Sequence, residues 1–343
     1  MLRLLFFLFV FSLPMLSGAQ DKFKIVSVGF YNVENLFDTE DDPSVNDDEF
    51  TVAGANNWTQ ERYNKKLENM AEVISKIGID KAPKGLSVIG LCEIENNKVL
   101  DDLVKQEAIA KRNYQYVHYD SRERRGVDVA LMYNPAHFKV TSSRAVPLIV
   151  KDKPDFFTRD QLVVSGILDG EPIHFIINHW PSRRGGEKRS YPLRLEAARL
   201  CKSLADSILA TDSTAKIIIM GDFNDDPVNK SISKILEAKC DSSSISAKQL
   251  YNPMCSMLKK GIGSLAYRDS WNLFDQIIIT GNVLHGKNGY KYYTTRIFNE
   301  PFLMQKEGAF KGYPFRTYVG TTFQGGYSDH FPAYMFLIKE KNN

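Results

Sequence analysis

Apolar and β-branched residues recur in eight short runs, at residues 23–32, 86–93, 127–133, 162–168, 172–180, 216–222, 274–280 and 331–338. Runs of this length, separated by stretches rich in turn-forming residues, predict strands. Two longer segments repeat their apolar positions at helical spacing instead. Residues 59–77 place Tyr63, Leu67, Met70, Ala71, Ile74 and Ile77 on one face, and residues 190–209 do the same with Leu195, Ala198, Cys201, Leu204, Ala205 and Ile208. The balance predicts a strand-dominated α/β protein with a few packing helices. The polar stretches 38–57 and 239–249 read as surface loops. No internal repeat or composition break divides the chain, so one domain over residues 20–343 is expected.

The first 19 residues follow a different pattern. Arg3 precedes an apolar stretch over residues 4–16, and Ser17-Gly18-Ala19 supplies small residues of the kind found at signal-peptidase sites. The stretch is shorter than the ~20 residues that span a bilayer, so it reads as a cleaved signal peptide, with no membrane insertion afterwards. A secreted or periplasmic protein is expected. The formal net charge of +3 is too small to attract nucleic acid in bulk, which leaves local patches to do so. The four cysteines lack the paired spacing of a zinc site. Cys240 and Cys255 are candidates for a disulfide across a polar loop, whereas Cys92 and Cys201 sit in apolar contexts and read as packed thiols.

Five of the strand-like runs meet polar residues at one end. These are Asn32-Val33-Glu34, Glu93-Ile94-Glu95, Asn178-His179, Gly221-Asp222-Phe223-Asn224 and, leading into the last run, Ser328-Asp329-His330. A charged group at the edge of a core is costly unless it is paired or bound to a cation, so five together suggest one common site. Asp275 adds another by interrupting an apolar run. The ordered set Asn32, Glu93, Asn178-His179, Gly221-Asp222-Phe223-Asn224, Phe274-Asp275-Gln276-Ile277 and Ser328-Asp329-His330 resembles the endonuclease/exonuclease/phosphatase superfamily. The resemblance extends over nearly the whole chain after residue 19. It implies a four-layered α-β-β-α sandwich of two mixed sheets flanked by helices.

That resemblance also implies roles. Phosphate-ester hydrolysis needs an activated water, a base, and neutralisation of the developing charge. Glu93 would be the principal metal ligand with Asn32 beside it, Asp329 would ligate metal or orient His330, and Glu34 falls where some members carry an acid near the metal. Mg²⁺ is the implied cofactor, with Mn²⁺ or Ca²⁺ as substitutes. His330 would be the general base, paired with Asp275, and Asp222 and Asn224 would position the nucleophile and a phosphate oxygen. His179 would act as general acid or electrophile, held by Asp128. The abasic-site branch carries tyrosine at the position of His179, which disfavours that branch.

Basic residues gather in two loops, at 122–125 and 183–189. From these and their neighbours, Arg125, Arg183, Arg184, Arg194 and Asn178 are expected to contact substrate, and Trp180, Tyr191 and Tyr327 are candidates for stacking on a base. A monomeric secreted nuclease acting on DNA or RNA is the preferred reading. A phosphatase or phospholipase C-type hydrolase of inositol phosphates or sphingomyelin is the alternative, and a catalytically inactive scaffold is the third. No loop carries the exposed apolar surface that a lipid hydrolase would need.

Overall fold

The computed structural model describes residues 22–341, so the expected signal segment lies outside the described residues. In chain order the strands are β1 (Phe23–Leu36), β2 (Leu86–Ile94), β3 (Gln115–His118), β4 (Asp128–Tyr133), β5 (Phe138–Val146), β6 (Gln161–Leu168), β7 (Glu171–His179), β8 (Ile217–Asp222) and β9 (Leu250–Tyr251). A small hairpin of β10 (Leu265–Tyr267) and β11 (Ser270–Asn272) leads to β12 (Asp275–Thr280) and β13 (Lys291–Ile297). A second hairpin, β14 (Tyr318–Val319) and β15 (Thr322–Phe323), precedes β16 (Ala333–Glu340).

Two six-stranded sheets result, ordered β13-β16-β1-β2-β4-β3 and β5-β6-β7-β8-β12-β9. Each is mixed: β1 with β2 and β7 with β8 are parallel, and their other pairings are antiparallel. Helices α1 (Gln60–Lys76), α2 (Asn97–Val104), α3 (Glu107–Ala110) and α4 (Glu187–Thr211) supply the outer layers. Thr59 caps α1 by accepting from the Arg62 N–H, so the helix begins one residue inside the predicted segment. No helix among the described residues is long and apolar enough to cross a membrane.

The run Ile217-Ile218-Ile219-Met220 shows why the central strands are apolar on both faces. Ile218 and Met220 join the core between the sheets, together with Phe30, Ile89, Ile177 and Ile277. Ile217 and Ile219 turn the other way, onto Ala197, Ala198, Cys201 and Leu204 of α4. A strand covered on both sides buries every residue, which removes the polar alternation of a half-exposed strand.

Cys240 and Cys255 are joined by a disulfide, and Cys92 and Cys201 are free and buried, as their contexts predict. Gly221 lies opposite Asn178 in the parallel pairing of β7 and β8, where a Cβ would stand 2.4 Å from the Asn178 carbonyl oxygen. A side chain there must push the two strands apart. Gly221→Ala is expected to lower stability by about 1–3 kcal/mol in urea unfolding; an unchanged midpoint and slope would show that the strands have room to part.

Candidate active site

The register of the second sheet sets the site. His179 pairs with Asp222 across β7 and β8, and Asp222 pairs with Asp275 across β8 and β12. Laterally paired residues share a face, and these three continue the parity of Ile177, Met220 and Ile277, which point between the sheets. The row is therefore the polar end of the inter-sheet core. Asn32 and Glu93 of the first sheet face it, as does His330 from the segment leading into β16.

Asp222 Oδ2 is the centre of the group. It accepts from Asn32 Nδ2 at 3.1 Å and lies 3.6 Å from His179 Nε2 and 4.0 Å from His330 Nε2. Glu93 Oε1 is 3.3 Å from Asn32 Nδ2 and 3.9 Å from His179 Nε2, and Glu93 Oε2 accepts from the Asn35 N–H. On its other nitrogen, His330 Nδ1 meets Asp275 Oδ2 at 2.6 Å. Asp329, one-third exposed, approaches His330 Nε2 at 3.8 Å. Glu93 and Asn224 both have positive φ, 65° and 52°, so the chain turns sharply where it presents them. Such conformations persist where surrounding contacts impose them.

Electrostatics separates the two imidazoles. Burial opposes a charge on His330, but Asp275, Asp329 and Asp222 outweigh it and raise its pKa well above the ordinary value. Burial and the nearby Arg159, Arg125 and His330 hold His179 well below it. Burial lifts Asp222 to about 7, with Asp275 and Glu93 adding to the rise and His330 opposing it. The donor chemistry fits a divalent cation. Carboxylate oxygens of Glu93 and Asp222 lie within 3.9 Å of His179 Nε2, and those of Asp222 and Asp329 within 4.0 Å of His330 Nε2, hard oxygen donors of the kind such an ion takes.

The model of the Endonuclease/Exonuclease/phosphatase family matches residues 27–339. The chain belongs to this family. It is a hydrolase acting on phosphate ester bonds. No curated protein sequence matches it. Among solved structures it is similar to D. rerio TDP2 complexed with single-strand DNA product, at 13% identity and a TM-score of 0.54, covering 91% of this chain and 98% of that one. It is also similar to the Bacteroides thetaiotaomicron VPI-5482 mannosyl-6-phosphatase Bt3783, at 16% and 0.52, covering 91% and 99%. The human Nocturnin catalytic domain with bound sulfate anion aligns at 13% and 0.54, covering 94% and 98%. At these identities the likeness shows the fold.

Several residues expected at the family's site do other work. Asp128 does not hold His179: both its oxygens accept from the Ser121 N–H at 3.2 Å and it faces His118, while His179 Nδ1 has no partner among the described residues. Asn178 has the opposite parity to His179, so it points toward α4, where its Oδ1 accepts from Trp180 Nε1. Arg194 is fully buried, with Nε 2.8 Å from Asp225 Oδ1. Arg183 also turns inward, onto Asp225 and the Asn224 carbonyl. Asn224 donates its own amide to the Trp180 carbonyl, bracing the end of β7. Asn32 lies beside Glu93, but its Oδ1 accepts the Glu34 N–H, so it ties carboxylates together through Nδ2.

Glu34 leaves the metal group as well. Its carboxylate accepts from the Thr317 N–H at 2.6 Å; burial and Asp329 raise it to about 7, against the pull of Lys66. Trp180 packs edge-on against Phe223, and Tyr327 packs on Phe302 and donates to Glu72. Of the expected substrate contacts, Arg184 is exposed and Arg125 half-buried, donating to Asn35 Oδ1.

Three buried ions carry no sequence signal of their own: Lys66 in α1, which donates to Thr317 Oγ1 and the Tyr327 carbonyl; Asp225, which reads as turn chemistry; and Arg159, whose Nη2 donates to the Trp180 carbonyl beside His179. Arg194→Ala is expected to cost about 3–5 kcal/mol in urea unfolding, because it empties a fully buried site and leaves the buried Asp225 charge to Arg183 alone among cations. Arg184→Ala should stay within about 0.5 kcal/mol. Equal effects would refute the assignment of Arg194 to structure.

Proposed function

We propose that this protein is a divalent-metal-dependent phosphodiesterase that cleaves nucleic acid, with Mg²⁺ as its ion. The observation that carries the reading is one carboxylate oxygen, Asp222 Oδ2, flanked by two imidazole Nε2 atoms whose environments drive their pKa values apart. Pairs separated in this way mark acid–base assignments. Glu93, Asp222 and Asp329 would hold the cation, which when bound neutralises phosphate charge and acidifies water.

In this reading His330 accepts the proton of the attacking water at Nε2. Asp275 holds the ring by its Nδ1–H, which keeps the Nε2 lone pair toward the water. His179, held neutral, donates its ring N–H to a phosphate oxygen, as electrophile or general acid. Beyond the end of β7, from Pro181 on, a cavity of about 510 Å³ is lined by Lys153, Phe156, Arg159, Arg184 and Arg189, with Glu123 as its one carboxylate. Cationic groups around an aromatic wall suit a phosphate and base flanking the scissile bond, which favours a nucleic-acid strand over a small monoester. The Cys240–Cys255 disulfide supports an oxidising compartment, consistent with export directed by residues 1–19.

Plasmid DNA, RNA, sugar phosphates, inositol phosphates and sphingomyelin are to be offered to the purified protein with Mg²⁺, with and without chelator. Chelator-sensitive cleavage of a nucleic acid is expected; hydrolysis of monoesters or lipid alone would overturn the nuclease reading. His330→Ala and His179→Ala should each lower kcat by about 10²–10⁴ while the circular dichroism spectrum is kept.

A base must be deprotonated to act, so activity should appear as pH rises through the elevated pKa of His330, on the alkaline side of its ordinary value near 6.5. Asp275→Asn removes the strongest group raising that pKa and should move the rising limb of kcat/KM to lower pH as its height falls. A limb that stays in place would exclude His330 as the base.

A further inference from the structure

The hairpin of β3 and β4 carries side chains that the hydrolytic centre does not use. Its register pairs His118 with Ala130. Continuing that antiparallel ladder sets Asp120 opposite Asp128, and the two-residue alternation of extended chain puts His118, Asp120 and Asp128 on one face. The distances agree. His118 Nδ1 is 3.8 Å from Asp120 Oδ1, and Nε2 is 3.8 Å from Asp128 Oδ2. One ligand atom from each residue lies within 4.8 Å of the other two.

A second observation is independent of the acids. The His118 side chain is 0% exposed, yet neither ring nitrogen has a hydrogen-bond partner among the described residues. An imidazole in either neutral tautomer has one N–H and one lone pair, and buried polar atoms are ordinarily partnered. Burial lowers the His118 pKa, and lifts that of Asp128 to about 7. A neutral imidazole beside a desolvated carboxylate is the state that a cation would complete.

We propose that His118, Asp120 and Asp128 form a second divalent-cation site, separate from the hydrolytic centre and taking a transition cation of the zinc class in preference to Mg²⁺. The donor set gives the preference: an imidazole nitrogen suits zinc, whereas Mg²⁺ favours oxygen alone. Asp120 is 80% exposed, so the cation enters from solvent and water completes its coordination. Residues 121–127 connect two of the ligands and include Arg122, Arg124 and Arg125, so an ion here fixes the ends of the basic loop.

The test is equilibrium dialysis of the purified protein against Zn²⁺ in excess Mg²⁺, followed by metal analysis, for wild type, His118→Asn and Asp120→Asn. Wild type is expected to retain one more equivalent of zinc than either variant, and Zn²⁺ should raise its Tm more than theirs. Asp120→Asn keeps the comparison sound if His118→Asn unfolds, because the Asp120 side chain is at the surface and makes no hydrogen bond among the described residues. Equal zinc in wild type and Asp120→Asn, or a wild type that retains none, overturns the proposal.

Discussion

The row His179–Asp222–Asp275 across three adjacent strands is the constraint on which the rest of the site depends. Backbone hydrogen bonding fixes which residues stand side by side, and parity fixes which way they point. Two residues further into each strand, on the same faces, stand Ile177, Met220 and Ile277, so the site is the core's own inner face continued past its apolar limit. Gly221 makes the row possible by letting β8 approach the Asn178 carbonyl, closer than any Cβ permits. A one-residue slip of β8 would send Asp222 to the helix side and leave His179 facing a glycine.

A layer of buried ions supports this row from outside. Asp225 draws Arg194 and Arg183 inward, Arg159 fastens the Trp180 carbonyl, and Lys66 ties α1 to the segment holding Thr317 and Tyr327. Such charges are stable only when matched, and their long side chains reach from helices and loops to backbone groups near the reacting ones. They hold the strand ends in place. An arginine near a phosphate-ester site is therefore not by that fact a phosphate ligand, and Arg194 and Arg183 are instances of this.

The eight apolar runs in the sequence correspond to β1, β2, β4, β6, β7, β8, β12 and β16, which are the interior strands of both sheets. The four edge strands, β3, β5, β9 and β13, escaped the pattern. β5 buries only Phe138 fully, and β13 mixes Lys, Thr and Arg with tyrosines. An edge strand is covered less and pairs on one side only, so neither a long apolar run nor strict alternation is demanded of it.

The sequence by itself determined the interior strands, the two large helices, and the polar residues that close the apolar runs, because burial on two faces leaves an unmistakable composition. The family resemblance carried by those residues implied the Asp275–His330 pair and the roles of His179, Glu93 and Asp222. Only the tertiary structure decided which polar residues meet. Asn178 and His179 are neighbours in sequence yet point to opposite layers; Asp128 turns to His118 at the sheet edge; Glu34 and Asn224 hydrogen-bond to backbone at Thr317 and Trp180. The physical reason is that composition reports the cost of burying a group, while the direction of a side chain depends on register and on partners more than a hundred residues away in the chain, as Glu34 and Thr317 are.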